Sequence, residues 1–515
     1  MFTHRSVSKV KAHISSTMKA HLIRGALYLI LLLAVSLIPF ALAQRTTAKG
    51  NRPATTITVT NGNDSGSGSL RQALADANDG DTIQFDSALN GQTITLTSGE
   101  LVVADSITIS GPGPTLLAVS RDSQSSNFRI LHIQPNHTVA ISGLTISNGS
   151  LINLSGAGIF NYQSTVTIIN CVISGNATDC PPSTAAGGGG ICNSGVLSLI
   201  TSTVTGNSTT GYFSYGGGGI LNNGTLTINQ CTIRNNRGDG YGGGIAGSAG
   251  SVVIQNSTIS GNQIFGLVHS DGDGAGLATC VPYISVCSGE GFIIQNSTIS
   301  GNIALGGGSF GGHGGAVYGG GTITNCTISG NTANRQPGGI YAITPVELTH
   351  TILNSNQNIV NVGTTVTSHG YNISSDDGGG FLTGPGDQIN TDPLLGPLQN
   401  NGGPTETHAL LPGSLAIDAG DPNFTPPPDY DQRGPGFVRV FNGRIDVGSF
   451  ELQPTPTPTP TLTPTATATS TPTATPSITA TATATATATP ATPTPTATAR
   501  FAPSPRPRPS PPPRP

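Results

Sequence analysis

Along the middle of the chain, apolar residues come in runs of only two or three alternating positions. Each run is followed by a bend and a second short run. The pattern recurs at residues 168–176, 199–207, 228–236, 254–262, 294–302, 323–331 and, in degenerate form, 348–356. The closing asparagines are 31, 29, 26, 40, 29 and 25 positions apart, and most copies are introduced by a glycine run and one apolar residue, as in Gly217-Gly218-Gly219-Ile220. Alternation predicts strands, and no stretch between the runs carries the 3.6-residue spacing of a helix. Strands this short cannot bury a face alone. Stacked on their own copies about 4.8 Å apart, they bury a continuous core and satisfy each other's backbone. The expected fold is therefore all-β, a right-handed parallel β-helix whose stacked strands are fixed while one loop per coil varies. Propeller blades need longer strands, and leucine-rich repeats need a Leu/Asn signature that is absent.

The register assigns roles to positions. Ile173, Val204, Ile233, Ile259, Ile299, Ile328 and Leu353 form an aliphatic core column. Two positions earlier, Cys171, Ser202, Cys231, Ser257, Ser297, Cys326 and Thr351 are small and stackable, so the thiols there read as small hydrophobes. Just before them stand Asn170, Thr201, Gln230, Asn256, Asn296, Asn325 and His350. Asparagine tolerates left-handed backbone and can bond its copy in the next coil, so this column reads as an asparagine ladder at a bend. The Asn-x-Ser/Thr matches then read as bend residues rather than glycosylation sites.

An open stack needs covered ends. Leu70, Ala73, Leu74 and Ala77 share one face of a short helix, placed at the N-terminal end with the first coils, residues 55–110. Coils follow over 111–380. The non-repetitive, proline-rich stretch 381–452 is expected to close the other end.

Composition adds the compartment. Only 9% of residues are charged, tryptophan is absent, and the net charge is −4, with no clustered Lys/Arg to hold nucleic acid. Residues 1–43 read as a secretory signal, with Met18 as an alternative start: Lys19, His21 and Arg24 precede an apolar run that ends at Ala41-Leu42-Ala43. An uncleaved membrane anchor is the competing reading and would be the chain's sole contact with a membrane. Residues 453–515, built from Pro, Thr, Ala and late Arg, predict a disordered stalk. The expected location is extracellular or at the cell surface. In that oxidising setting, Cys180 with Cys192 and Cys280 with Cys287 are candidate local disulfides flanking variable loops.

Gly68-Ser69-Leu70-Arg71-Gln72-Ala73, with Gly80-Asp81-Thr82-Ile83, resembles the CSLREA-type N-terminal region of bacterial exported β-helix proteins, with Gly68 in place of Cys and Gln72 in place of Glu. Asp392-Pro393-Leu394-Leu395-Gly396, His408-Ala409-Leu410-Leu411-Pro412-Gly413-Ser414, Asp431-Gln432-Arg433-Gly434 and Asp446-Val447-Gly448-Ser449-Phe450-Glu451 resemble the choice-of-anchor Q domain. The resemblance covers about residues 55–452. It implies a right-handed parallel β-helix at or beyond the bacterial surface and no particular activity.

Candidate chemistry is sparse. Asp376, Asp377 and His313 are candidates for acid–base work on a glycosidic bond, since paired carboxylates can share that task. Their chain order is the reverse of the polygalacturonase-like pattern, and Asn390-Thr391-Asp392 already belongs to the C-terminal motif. Asp271 and Asp273, one residue apart on a glycine-rich turn, are calcium candidates, although the bidentate Glu of an EF-hand is missing. No other cofactor is implied. The reading favoured is a non-catalytic, adhesin-like protein contacting polysaccharide, cell-surface or matrix components. A polysaccharide lyase or glycoside hydrolase, and a self-associating surface protein, stay open beside it.

Overall fold

The computed structural model describes residues 53–180, 186–211, 216–247, 250–266, 272–279, 291–306 and 312–453. The expected signal (1–43), the stalk past 453, Asp271, Cys280 and Cys287 lie outside these residues.

The chain folds as a right-handed parallel β-helix. One coil shows the construction. Ile191–Asn193 and Val196–Ile200 lie in a first, wide sheet, Thr203–Thr205 in a second and Ser208–Thr210 in a third. Each strand pairs in parallel with its copy in the next coil: Ile191 with Ile220, Leu199 with Ile228, Val204 with Ile233. Alternation puts those residues inside, and successive coils extend one apolar core from Val59 to Leu382. The column from Ile173 to Leu353 runs through the second sheet in unbroken register.

The bend before the second sheet is left-handed in every copy. Asn170, Thr201, Gln230, Asn256, Asn296, Asn325 and His350 all have φ between 45° and 54°. For Thr201, a β-branched residue, that geometry is strained, so the stack imposes it against local preference. Immediately after the bend, small side chains catch the preceding coil. The Cys171 N–H donates to Ser202 Oγ at 3.1 Å, and the Cys231 N–H donates to Ser257 Oγ at 3.0 Å. Burial pushes the Cys171 thiol up to about 11 and those of Cys231 and Cys326 up to about 12.

The continuous amide ladder is not at the bend. There, only Asn296 to Asn256 links two members, at 2.9 Å. Thr201, Gln230 and His350 interrupt the column, so it cannot form one chain of amides. The unbroken ladder is formed by the closing asparagines: Asn176 Nδ2 donates to Asn207 Oδ1, Asn207 to Asn236, Asn236 to Asn262, Asn262 to Asn302 and Asn302 to Asn331, over 2.8–3.0 Å. These side chains point inward, where no water competes, so each amide must find its partners in the neighbouring coils.

At the N-terminal end, the helix Leu70–Asp76 is capped by Ser69, whose Oγ accepts from the Gln72 N–H, and it lays Leu70, Ala73 and Leu74 into the main core. At the other end the structure divides the segment expected to close the stack. Phe381 and Leu382 pack on the last coils. Past residue 390 the chain turns back and lies along the outer face of the second sheet as a lateral lobe. Thr258 Oγ1 donates to the Glu406 carbonyl at 2.6 Å, and Thr298 Oγ1 donates to Gln432 Oε1 at 2.6 Å. The Ser449 N–H donates to Thr327 Oγ1 at 3.1 Å, and Ser300 Oγ meets His408 Nε2 at 2.9 Å. The correction has a physical cause: the Thr-Ile-Ser strands turn two hydroxyls outward per coil, and the lobe carries the complementary groups.

Inside the lobe, Arg433 pairs with Asp431 at 2.6 Å and lies 3.8 Å from the ring centroids of both Phe437 and Phe450. Fully buried Arg439 donates to the carbonyls of Asp446 and Gly448, at 3.1 and 2.7 Å. Glu451 accepts from the N–H groups of Phe441 and Asp446, yet burial and then the neighbouring Asp446 carboxylate push its carboxyl up to about 8. His350, whose Nε2 accepts from the Asp421 N–H, is pushed down to about 4 by burial and then by Arg439.

The two shifts act in opposite directions. Glu451 holds a proton in the fold that the open chain has released above its ordinary 4.5, so its contribution is full below that pH and is lost as pH rises to about 8. His350 resists protonation in the fold, so its contribution is full above 6.5 and is lost as pH falls to about 4. The two slopes cancel between about pH 4.5 and 6.5, so lobe docking should weaken below and above that window. Limited proteolysis of residues 390–453 across pH is the measurement. Glu451→Gln should remove the alkaline weakening and leave the acid limb in place.

Candidate functional site: two clusters on the outer face of the wide sheet

In the first strand of each coil, one residue between two inward positions faces outward. Register pairing links these into a column: Val102, His132, Phe160, Cys192, Leu221, Ala246, Ala278, Tyr318 and Tyr341. The middle of the column is small and buried, because the glycine turn that opens each coil folds over it. At Gly274 (φ 69°), a Cβ would lie 2.8 Å from Ala278 Cβ and 2.6 Å from the Leu277 carbonyl oxygen, so only glycine fits. The ends of the column are aromatic, and each has gathered polar groups.

At the first end, Glu100 Oε1 meets His132 Nδ1 at 3.0 Å, and Arg129 Nε lies 3.3 Å from Glu100 Oε2. That ion pair lacks hydrogen-bond alignment at Nε. Burial lowers the pKa of the Arg129 guanidinium, with Glu100 opposing. The same guanidinium sits 4.9 Å from the centroid of Phe160, His132 lies 5.4 Å from that ring, and Tyr162 stacks on it at 5.7 Å and 26°. Tyr162 is 42% exposed, and Glu100 and His132 are partly open. The arrangement is a ring platform rimmed by a carboxylate, an imidazole and a cation.

At the far end, Asp273 Oδ1 accepts from the N–H groups of Gly312 and His313, at 3.0 and 2.8 Å, and meets His313 Nδ1 at 3.1 Å. His313 packs on Tyr341 at 4.5 Å, Tyr341 stacks on Tyr318 at 5.4 Å, and Tyr318 lies 6.2 Å from Tyr241. Burial, then Asp273, raises the pKa of the Tyr341 phenol. Asp273 is 3% exposed and its carboxylate holds the His313 backbone and ring, while Asp271, the other calcium candidate, lies outside the described residues. Among the described residues, no group of three His, Cys, Asp or Glu could hold a metal ion.

The three acid–base candidates do not converge. His313 belongs to the cluster above. Asp376 follows the last strand of the second sheet, where its carboxylate accepts from Ser374 Oγ, Asn358 Nδ2 and the Gly378 N–H, and these bonds lower its pKa against burial. Asp377 caps the turn Gly378–Gly380 by accepting from the Gly379 N–H. Both are bound into the end of the stack. The disulfide expected between Cys180 and Cys192 is absent, and both thiols are free and buried. Cys180 directly follows a third-sheet strand, whereas Cys192 fills the outward column of the wide sheet between Phe160 and Leu221.

Neither cluster was visible along the sequence. Glu100, His132 and Phe160 are about one coil apart, and Asp273 and His313 are 40 residues apart. The detectable signal was the outward position of the first strand, read in register from coil to coil.

Residues 121–281 match a family model described as the right handed beta helix region. Among solved structures, the crystal structure of pectate lyase Pel9A aligns with 78% of this chain and 96% of its own, at 16% identity and a TM-score of 0.43. No curated protein matches.

Proposed function

We propose that this β-helix is an exported protein of the cell surface or exterior that contacts polysaccharide without cleaving it, through the platform of Phe160 and Tyr162. The observation that carries the reading is that pair of stacked, partly open rings rimmed by Glu100, Arg129 and His132. A pyranose presents an apolar C–H face and a rim of hydroxyls. The rings suit the face, and a carboxylate beside an imidazole suits the rim. Export follows from the leader-like first 43 residues, and the resemblance at both ends of the folded region accords with a bacterial surface setting. Cell-surface or matrix glycans are the proposed partners, and no cofactor is required.

The test is a glycan-binding screen on the exported full chain, followed by titration of the best ligand. Phe160→Ala with Tyr162→Ala should weaken binding about tenfold or more, the size expected for losing two stacking rings worth about 0.5–1.5 kcal/mol each beyond their area. Unchanged affinity would sink the platform. An enzymatic reading has one specific support, the Asp273-oriented His313 imidazole. Oligosaccharide released by the wild type and not by His313→Ala would replace the non-catalytic reading with it.

A further inference from the structure

A second polar site lies where the lobe stops and the second sheet becomes bare. A cleft of about 210 Å³ is lined on one side by Thr203, Thr232 and Arg234, and on the other by Asn400, Pro404 and Glu406 among others. Thr203 pairs with Thr232 in the sheet ladder, and Thr205 pairs with Arg234. One coil further on, the equivalent Thr258 is already occupied by the lobe, donating to the Glu406 carbonyl. The cleft is thus built by the lobe's edge, and its floor is two threonines. Among the described residues, neither the Arg234 guanidinium nor the Glu406 carboxylate has an ion-pair partner, and no hydrogen bond engages the Thr203 or Thr232 hydroxyl.

We propose that this cleft binds one acidic sugar residue, a uronic acid within a polysaccharide. The guanidinium fork of Arg234 suits a carboxylate in two parallel hydrogen bonds. The Thr203 and Thr232 hydroxyls and the Glu406 carboxylate suit ring hydroxyls. Both charges are needed for this choice. A neutral sugar leaves Arg234 unmatched, and a bare phosphate or sulfate gives Glu406 nothing to accept from while adding repulsion. The volume falls below the roughly 300–1,000 Å³ of sites for drug-sized ligands, so it holds a single ring. The inference rests on the glycan-contact reading for its ligand class and adds to it a preference for acidic chains.

The experiment is titration calorimetry of the full chain with a galacturonic-acid oligosaccharide and with its neutral galactose counterpart. The wild type, Arg234→Ala, Glu406→Gln and the Phe160→Ala/Tyr162→Ala variant are compared. Wild type should prefer the acidic ligand about tenfold or more, as expected for a charged hydrogen-bonded pair. Arg234→Ala should erase that preference and keep neutral binding, while Glu406→Gln weakens both ligands. The platform variant should weaken both ligands alike and leave the preference intact. A preference that survives Arg234→Ala, or that inorganic sulfate abolishes at equal concentration, would overturn the acidic subsite and leave the platform standing. Loss of preference in Arg234→Ala together with unchanged binding by the platform variant would do the reverse.

Discussion

Replacing Asn236 with alanine is expected to lower the unfolding free energy by about 3–5 kcal/mol, among the largest single-residue effects in this chain. Asn236 Oδ1 accepts from both the N–H and the Nδ2 of Asn207, and its own Nδ2 donates to the Val204 carbonyl and to Asn262 Oδ1. All of these groups are buried. Alanine removes the acceptor of a buried N–H and half the partners of a buried amide, and each stranded group costs about 1–3 kcal/mol. Leucine should do no better, since volume does not restore the bonds. Ser355→Ala, at the end of the ladder, should cost less, because Asn331 reaches Ser355 Oγ only at 3.3 Å. Guanidinium unfolding curves of the three variants decide the matter. A loss under about 1 kcal/mol for Asn236→Ala would show that the ladder is not a source of stability.

Arg433→Ala is expected to release the lobe while leaving the coils folded. The guanidinium is held by Asp431, donates to the Glu451 carbonyl and is sandwiched between Phe437 and Phe450. Removing it leaves the buried Asp431 carboxylate without its counter-charge, which typically costs 3–5 kcal/mol. The coils keep their own ladders and core, so the loss should be local. Residues 390–453 should become protease-sensitive, and amides near Thr258, Thr298 and Thr327 should exchange faster. Amides of the first coils, near Ile83 and Ile109, should be unaffected. Arg433→Lys should recover little, because a point charge neither fills the aromatic sandwich nor forks onto Asp431. If the whole chain unfolds in one step, the lobe and stack are a single cooperative unit and this account fails.

The repeat showed how the coils stack because its determinants are local. The aliphatic column from Ile173 to Leu353 and the left-handed bend at Asn170 and its equivalents each recur in every coil. Repetition turns a weak local preference into a strong one, enough to hold Thr201 in a strained bend. The closing asparagines were conspicuous as markers, yet their bonding was hidden. A side chain's inward direction depends on where the coil turns, not on the residue type. The Asp431-Gln432-Arg433-Gly434 and Asp446–Glu451 motifs were equally conspicuous, but nothing in them tells which surface they clasp. Thr258, Thr298 and Thr327 under the lobe look the same in sequence as Thr203 and Thr232 outside it.

Sequence alone therefore determined the parallel stack and its register, since alternation, bends and small-residue positions are properties of neighbours in the chain. Tertiary structure alone decided the lateral lobe, the Glu100–His132–Phe160 platform, the Asp273–His313 pair and the cleft beside Arg234. Their members come from different coils, and the loops between them vary in length. The parallel ladder sets residues 32 and 40 positions apart side by side in the platform and the Asp273–His313 pair, whereas the lobe and the cleft form because the chain past residue 390 folds back onto earlier coils, as where Glu406 meets Thr258, 148 positions before it.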